Sequence, residues 1–331
     1  MSRCAVIGGG AWGTALADLL ARGGHDVQLW AREADVVESI NGRHVNDRFL
    51  AGAPLAPTLR ATSDLQAAVR DAELVTYVPP SHVLRGLVRS HGESLPRDAT
   101  LVVASKGIEA GSLAIMTDVI ESELPGRHVV ALSGPSFAIE VAARQPTAVV
   151  AAAHDMEVAA RVQRAFSHEH FRVYAHDDVV GVELGGSLKN VMAVATGIAE
   201  GAGLGFNSRA ALITRGLAEM TRLGVALGAQ PATFAGLAGM GDLVLTCTGS
   251  LSRNRSLGIE VGQGRSLADI LASRETVAEG VTTAQSARAV AEREGIEMPI
   301  VFAVCRVLFE GQSPRRAIEE LMSRELRAEQ D

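Results

Sequence analysis

Three glycines near the start of the chain have the spacing of a dinucleotide-binding turn. Gly8, Gly10 and Gly13 fit the pattern G-x-G-x-x-G, directly after the apolar run 4–7 and at the start of a helical periodicity. Gly8 would permit the tight turn, Gly10 the approach of backbone to a pyrophosphate, and Gly13 close packing of helix on strand. We therefore predict a dinucleotide site here, with a flavin site or an unrelated glycine-rich turn as alternatives.

The end of the second apolar run bears on the choice of cofactor. Arg32 follows residues 27–30, about 20 residues after the glycines, where the residue that selects the ribose is expected. A guanidinium there favours the 2′-phosphate of NADP, whereas the adjacent Glu33 could bind the free ribose hydroxyls of NAD. NADP is the favoured cofactor and NAD is allowed; an exposed arginine without a ligand is the alternative.

Two further loops follow apolar runs and would reach the crevice beyond the carboxyl ends of parallel strands. Lys106 follows residues 101–103, and Gly134 and Ser136 follow residues 129–131. They offer a compact cation, close backbone approach and a hydroxyl, although a loop lysine is often only solvated. Residues 78–82 form a third such loop, which we predict to be a rigid wall near a nicotinamide.

Lys189 stands among apolar and small residues in the second half of the chain. Burial would lower its pKa towards the range that suits proton transfer, although a lysine reaching water from a helix edge is the plainer alternative. A serine–lysine hydrolase with Ser187 fails, because residues two apart on a helix do not face each other.

A second polar cluster suits recognition of a phosphate. Ser252, Arg253 and Asn254 place a hydroxyl, a guanidinium and an amide side by side, although the same three residues would also suit a helix N-terminus with exposed arginine. Asp242, between glycines, could orient a lysine or bind a substrate hydroxyl. Glu279 precedes a glycine turn.

The elements that must position these residues change character near residue 177. Before it, short β-branched runs alternate with helical spacings, which predicts βαβ units and a mainly parallel sheet. Beyond it lie helical periodicities rich in alanine, leucine and glycine. We predict an α/β Rossmann-type doubly wound domain over residues 1–180, followed by an all-α helical domain over residues 181–331. The runs predicted as strands are 4–7, 27–30, 74–78, 101–103 and 129–132.

Composition narrows the partners. The chain has 331 residues, is 47% hydrophobic, carries a formal charge of −7 and has no basic run, so we expect no nucleic-acid partner. Three scattered cysteines indicate a reducing compartment, and we expect a cytoplasmic protein with no membrane insertion. We predict no metal: the densest candidate, His168-Glu169-His170, is interpreted as one face of a surface strand without further ligands.

Taken together, the motifs resemble bacterial NAD(P)-dependent glycerol-3-phosphate dehydrogenase over nearly the whole chain. The motifs that carry the resemblance are Gly8-x-Gly10-Ala11-Trp12-Gly13, Ser105-Lys106-Gly107-Ile108-Glu109, Ser133-Gly134-Pro135-Ser136-Phe137-Ala138, Gly185-x-x-x-Lys189-Asn190, Gly239-x-Gly241-Asp242, Ser252-Arg253-Asn254 and Glu279-Gly280. The resemblance implies reversible reduction of dihydroxyacetone phosphate to sn-glycerol 3-phosphate, a small phosphorylated substrate, feeding phospholipid synthesis. It leaves the assembly open, with a homodimer as one candidate.

The resemblance also implies roles for individual residues. Lys189 looks like the proton donor and acceptor. Substrate contacts would be Lys106, Gly134, Ser136, Lys189, Asp242, Ser252, Arg253 and Asn254. Cofactor contacts would be Gly8, Gly10, Trp12, Gly13, Arg32, Lys106, Ala138, Arg253, Val277 and Glu279. Ala11 departs from the family's usual serine, which removes a hydroxyl contact to the cofactor phosphates.

Two rival functions remain open. Dehydrogenases of β-hydroxyacids or 6-phosphogluconate share the architecture, but they resemble a Lys-x-x-x-Asn pattern, whereas Asn190 follows Lys189 directly and position 193 is Ala193. A non-catalytic NADP sensor would keep the glycines and need neither Lys189 nor Arg253.

Overall fold

The first half of the chain forms one eight-stranded sheet. The computed structural model describes residues 1–274, 278–326 and 328. All five predicted strand positions are confirmed, to within a residue or so at their ends. The strands are β1 Arg3–Ile7, β2 Asp26–Trp30, β3 Arg60–Thr62, β4 Leu74–Tyr77, β5 Thr100–Val103, β6 Val129–Ser133, β7 Thr147–Ala152 and β8 Phe171–His176.

The strand order places a crevice beside β1. The order is β3-β2-β1-β4-β5-β6-β7-β8. The pairings from β3 through β6 are all parallel, β6 and β7 are antiparallel, and β7 and β8 run parallel to each other. The connections leave β1 towards β2 on one side and return to β4 on the other, which makes the carboxyl end of β1 the topological switch point. The Rossmann-type, parallel-dominated sheet is thus confirmed.

Helices cover both faces of this sheet, and each face has its own apolar core. The continuous apolar runs of β4, β5 and β6 are buried along their whole length, as expected of strands covered on both sides. The helices are α1 Ala11–Arg22, α2 Ala34–Arg43, α3 Leu65–Val69, α4 Leu84–His91, α5 Met116–Glu123, α6 Ala138–Ala142 and α7 Met156–Phe166.

Three strands, β3, β7 and β8, were not among those predicted, and the interpretation of His168-Glu169-His170 as one face of a surface strand is wrong. β3 has only three residues, too few for a pattern, and β7 is an alanine-rich run without alternation. His168-Glu169-His170 does not form a strand: it is a turn, in which His168 and Phe171 exchange backbone hydrogen bonds of 2.8 and 3.0 Å at the entry to β8. The local pattern of polar side chains cannot distinguish such a turn from the strand that follows it.

The rest of the described chain, from residue 179 onwards, is helical. Its helices are α8 Val179–Gly201, α9 Phe206–Ala226, α10 Pro231–Phe234, α11 Asp242–Thr248, α12 Arg253–Gly262, α13 Leu267–Ala272, α14 Glu279–Glu294, α15 Pro299–Phe309 and α16 Pro314–Met322, with a π-helix at Leu237–Gly241. α8 is buried along most of its 23 residues and packs against α9, α11, α12 and α14. The succession of a Rossmann-type domain and a helical domain is confirmed, while the boundary at residue 180 stays a prediction.

Among the described residues, no single helix combines the length and the apolar character that a membrane crossing requires; one bent pair, Pro231–Thr248 with Arg253–Gly262, meets both only when its two parts are counted together.

Candidate active site

The glycine turn between β1 and α1 has the geometry of an anion cradle. Gly8 has φ of +131°, which favours glycine, and a Cβ on Gly13 would lie 1.9 Å from the carbonyl oxygen of Gly8. Gly10 is the N-cap of α1, is exposed, and has nothing within 4 Å of the place where a Cβ would stand. No acidic residue lies in the first turn, and the first amides of a helix have no intrahelical acceptor. These features fit a dinucleotide pyrophosphate.

Two other predicted cofactor residues lie close to this turn. Trp12 is partly buried in the first turn of α1, and Ala138 is the first residue of α6, which packs against α1. Gly9 was missed as a packing position, although a Cβ there would lie 2.5 Å from Cβ of Ala31. Only the fold reveals this constraint, because Ala31 belongs to the next strand–helix connection.

Arg32 lies just beyond β2, at the edge of the crevice. Its side chain is 84% exposed, and its guanidinium donates to Glu33 Oε1 at 2.9 Å. Such a surface ion pair contributes little free energy, so the guanidinium can exchange Glu33 for a phosphate at small cost. Arg32 is thus available to a ligand at the edge of the crevice, and it forms an ion pair with its acidic neighbour Glu33.

At the other side of the crevice, two lysines from the two halves of the chain share one carboxylate. Lys106 Nζ lies 2.6 Å from Asp242 Oδ2, and Lys189 Nζ donates to Asp242 Oδ1. Lys189 Nζ also donates to Thr246 Oγ1 at 2.9 Å. Asp242 and Lys189 are buried, with 1% and 7% of their surfaces exposed. Two cations around one anion leave the cluster positive, which suits a negatively charged ligand although the whole chain is acidic.

The environment of Lys189 brings its titration close to neutral pH. Burial lowers its pKa to about 8, the nearby positive charge of Lys106 acts in the same direction, and Asp242 opposes both. A lysine with such a pKa exchanges its proton near neutral pH, whereas an exposed lysine stays charged. The alternative of a lysine that reaches bulk water from a helix edge is wrong.

Local packing fixes the two lysines relative to each other. Ser187 Oγ accepts from the amide of Gly107 at 2.9 Å and donates to its carbonyl at 3.2 Å, so α8 holds the loop that carries Lys106. Asp242 follows directly after the π-helix, a wide turn that is frequent at functional sites. Ser187 thus binds backbone rather than Lys189, in agreement with the rejection of a serine–lysine hydrolase.

The loop after β6 lies beside Lys106. Lys106 Nζ is 3.4 Å from the carbonyl oxygen of Gly134, and Ser136 Oγ donates to the same carbonyl at 3.0 Å. Lys106, Gly134, Lys189 and Asp242, predicted from four separate segments, are therefore brought together, with Ser136 at their margin.

The serine–arginine–asparagine cluster begins α12, and its three members differ in their surroundings. Ser252 Oγ caps the helix by accepting from the amide of Arg255 at 3.2 Å, so the helix-cap interpretation of this serine is confirmed. The side chain of Arg253 is exposed. Asn254 is buried and links two elements: Nδ2 donates to Asn190 Oδ1, and Oδ1 accepts from the amide of Gly280, both at 2.9 Å. Much of the hydrogen-bonding capacity of Asn254 is thus used inside the protein.

Glu279 begins α14 and faces the same cations. Burial raises its pKa, and the charges of Arg253, Lys106 and Lys189 oppose that rise. The carboxylate of Glu279 therefore interacts electrostatically with the cations of the site. Val277, the remaining predicted cofactor residue, lies outside the described residues.

Two polar residues of the site, Thr246 and Asn190, were not among the predicted substrate or cofactor contacts. Thr246 accepts from Lys189 and donates to the carbonyl oxygen of Asp242 at 2.6 Å, and Asn190 is the partner of Asn254. The spacing Asp242-x-x-x-Thr246 places both side chains on one helical face, a signal that sequence reasoning could have used. Asn190 lies directly after Lys189 but was treated only as part of a motif.

A glycine turn at the switch point of a parallel sheet, facing a buried lysine from a helical domain, defines the class of nicotinamide-dinucleotide dehydrogenases with a Rossmann-type first domain. Sequence comparison gives the particular family. Models described as the NAD-dependent glycerol-3-phosphate dehydrogenase N-terminus and C-terminus match residues 3–159 and 178–319. The chain belongs to the NAD-dependent glycerol-3-phosphate dehydrogenase family.

Individual relatives agree over the full length. The chain is 56% identical over 330 residues to glycerol-3-phosphate dehydrogenase (NAD(P)+) of Geobacter sulfurreducens and 54% identical to that of Citrifermentans bemidjiense, covering 99% of this chain and 98% of each relative. The crystal structure of glycerol-3-phosphate dehydrogenase from Coxiella burnetii, 40% identical, superposes with a TM-score of 0.93 over 98% of this chain and 99% of that one. The chain is accordingly an NAD(P)-dependent oxidoreductase.

Proposed function

We propose that the chain interconverts dihydroxyacetone phosphate and sn-glycerol 3-phosphate, with NADP as its preferred cofactor and Lys189 as the acid and base. The observation that carries this proposal is the buried cluster in which Lys106 and Lys189 share Asp242 across the crevice from the glycine turn. The same cluster joins the dinucleotide-binding half of the chain to the helical half.

The surroundings of Lys189 supply the proton chemistry. A nicotinamide dinucleotide, when bound, would supply the hydride chemistry of the reaction. As an ammonium, Lys189 can donate a proton to the oxygen of the ketone as negative charge develops there; as a neutral amine it can accept the proton of the alcohol. Asp242 and Thr246 both accept hydrogen bonds from its Nζ, which fixes the position of the amine.

The charges around the cluster support binding of a phosphorylated substrate. Arg253 adds an exposed guanidinium at the start of α12, and Ser252 lies beside it. Arginine binds phosphate with two parallel hydrogen bonds, and the binding energy of this remote group can align the carbonyl for reaction. Asn254, Gly134 and Ser136 complete the proposed substrate surface, the asparagine chiefly by holding α14 in place.

On the cofactor side, the proposal assigns pyrophosphate contacts to Gly8, Gly10 and Gly13. Trp12 and Ala138 would flank the dinucleotide, Arg32 would bind the 2′-phosphate, and Lys106, Arg253 and Glu279 would lie near its reactive end. Val277 is a further expected cofactor contact that lies outside the described residues. NAD remains a permitted cofactor, because Glu33 is adjacent to Arg32.

An absorbance assay at the nicotinamide wavelength tests the function. We expect turnover with dihydroxyacetone phosphate, and a higher initial rate with NADPH than with NADH. NADPH binding without turnover would instead identify a sensor, and turnover only with a hydroxyacid would identify a β-hydroxyacid dehydrogenase.

The setting of the enzyme is part of the proposal. We infer a cytoplasmic enzyme without membrane insertion, whose product supplies glycerophospholipid synthesis, and a homodimer is the assembly to test. Light scattering on the purified chain would measure its mass in solution, and a monomeric mass would reject the dimer.

A further inference from the structure

Thr283 is a buried threonine of α14 whose hydroxyl has no partner among the residues that the structure describes. Only 1% of its surface is exposed, and its Oγ1 makes no hydrogen bond there. It lies four residues after Glu279, so both side chains stand on one face of the helix. Gly280, three residues before Thr283, donates its amide to Asn254 Oδ1 at 2.9 Å, so this side of α14 packs against the active site.

A buried hydroxyl without a partner destabilises a protein, because it has lost its hydrogen bonds to water. Other buried threonines nearby are satisfied: Thr246 bonds Lys189 and Asp242, and Thr196 bonds the carbonyl oxygen of Ala193. An unpaired group beside Gly107, in the loop that carries Lys106, suits a partner that is supplied by a bound ligand.

The neighbours of Thr283 indicate which half of a bound dinucleotide would lie closest to its hydroxyl. A Cβ placed on Gly107 would lie 3.9 Å from Thr283 Oγ1 and 2.8 Å from Ser81 Oγ. Gly107 and Ser81 follow the carboxyl ends of β5 and β4, on the opposite side of β1 from β2, where Arg32 stands. In a dinucleotide that spans the switch point, the adenosine half lies over β2 and the nicotinamide half lies towards β4 and β5.

We propose that Thr283 is a cofactor-binding residue, whose hydroxyl forms a hydrogen bond with the carboxamide of the nicotinamide. The carboxamide is the polar group carried by the nicotinamide ring, and a threonine hydroxyl can donate to its oxygen or accept from its nitrogen. This bond would help to fix the face of the ring that meets the substrate. The inference rests on the proposed function, since it requires a nicotinamide dinucleotide in the crevice.

The variant Thr283→Val tests the proposal, because valine keeps the shape and removes the hydroxyl. We expect the melting temperature of the cofactor-free protein to rise, because an unpaired buried polar group is removed, while NADPH binds about tenfold more weakly. Thr283→Ser should restore the affinity. Thr76→Val is the matched control: Thr76 Oγ1 is also buried without a partner, but inside the sheet, so its replacement should leave the NADPH affinity unchanged.

Calorimetric titration with 2′-phospho-ADP-ribose, which lacks the nicotinamide, locates the contact. We expect Thr283→Val to bind this probe as tightly as the unaltered chain does. An equal loss for NADPH and for the probe, or no loss for NADPH, would overturn the proposal. Titration measures binding alone, so a chain that binds NADPH but does not turn over dihydroxyacetone phosphate would contradict the proposed function and leave the Thr283 test intact.

Discussion

The glycine turn and the lysine–aspartate cluster face each other across one crevice, and they are specified in different ways. The turn is local: its glycines lie within six consecutive residues, and their positions follow from backbone contacts such as that between Gly13 and Gly8. The cluster is assembled from distant segments, since Lys106 and Asp242 are 136 residues apart. Backbone geometry thus provides binding at one side of the crevice, and converging side chains provide chemistry at the other.

Removing the amine of Lys189 should give the largest effect. Lys189→Ala should lower turnover about 10³-fold, because general acid–base catalysis is lost, while NADPH binding at the opposite side is retained. Steady-state rates and a fluorescence titration of NADPH measure the two separately. Near-normal turnover would remove the proton-transfer role.

Replacing Arg253 tests the phosphate side of the same cluster. Arg253→Ala should weaken substrate binding by about 2–4 kcal/mol if the guanidinium and phosphate are desolvated together, with a rise in KM that exceeds the fall in kcat. An unchanged KM for dihydroxyacetone phosphate would contradict this.

Two glycine variants test the local side of the comparison. Gly13→Ala should destabilise the fold by about 3 kcal/mol, because the new methyl group meets the carbonyl of Gly8. Gly10→Ala should leave the free energy of unfolding nearly unchanged, since the space around that position is open, but should weaken NADPH binding. Denaturant unfolding and NADPH titration check both variants. If Gly10→Ala lost as much stability as Gly13→Ala, the close contact described for Gly13 and the open space described for Gly10 would be contradicted.

A buried carboxylate of α8 gives a smaller, pH-dependent effect. Glu183 accepts from the amide and the hydroxyl of Thr117, at 3.0 and 2.5 Å, at the start of α5. Burial raises its pKa to about 7, against the hydrogen bonds of Thr117, while Asp118 adds to the rise. Between pH about 4.5 and about 7, Glu183 is protonated in the folded protein and ionised in the unfolded chain. The free energy of unfolding of the unaltered protein therefore falls as the pH rises through this range.

Glu183→Gln cannot titrate at this position. The variant should therefore gain stability relative to the unaltered chain between pH 5 and pH 8, by on the order of 2 kcal/mol. Urea unfolding of both proteins at pH 5 and at pH 8 measures this gain. If the variant and the unaltered chain differ in free energy of unfolding by the same amount at both pH values, the raised pKa of Glu183 is contradicted.

The two sides of the crevice also differ in how far they could be predicted. The turn, the parallel strands around it and the later helices follow from local patterns, and these predictions are confirmed. Thr246 and Asn190 were missed as members of the site because their partners Lys189 and Asn254 come from other segments of the chain. Lys189 was selected by its apolar setting and by family resemblance, but its pairing with Asp242 and Lys106 required the fold. His168-Glu169-His170 was misassigned because a turn and a strand end share the same residue types.

The pH dependence of kcat/KM in the two reaction directions tests the role of Lys189 most directly. With a lysine pKa of about 8, reduction of dihydroxyacetone phosphate should slow as the pH rises through 8, because it needs the ammonium form. Oxidation of glycerol 3-phosphate should accelerate over the same range, because it needs the neutral amine. Profiles that change in the same sense, or that stay flat between pH 7 and pH 9, would contradict Lys189 as the group that moves the proton.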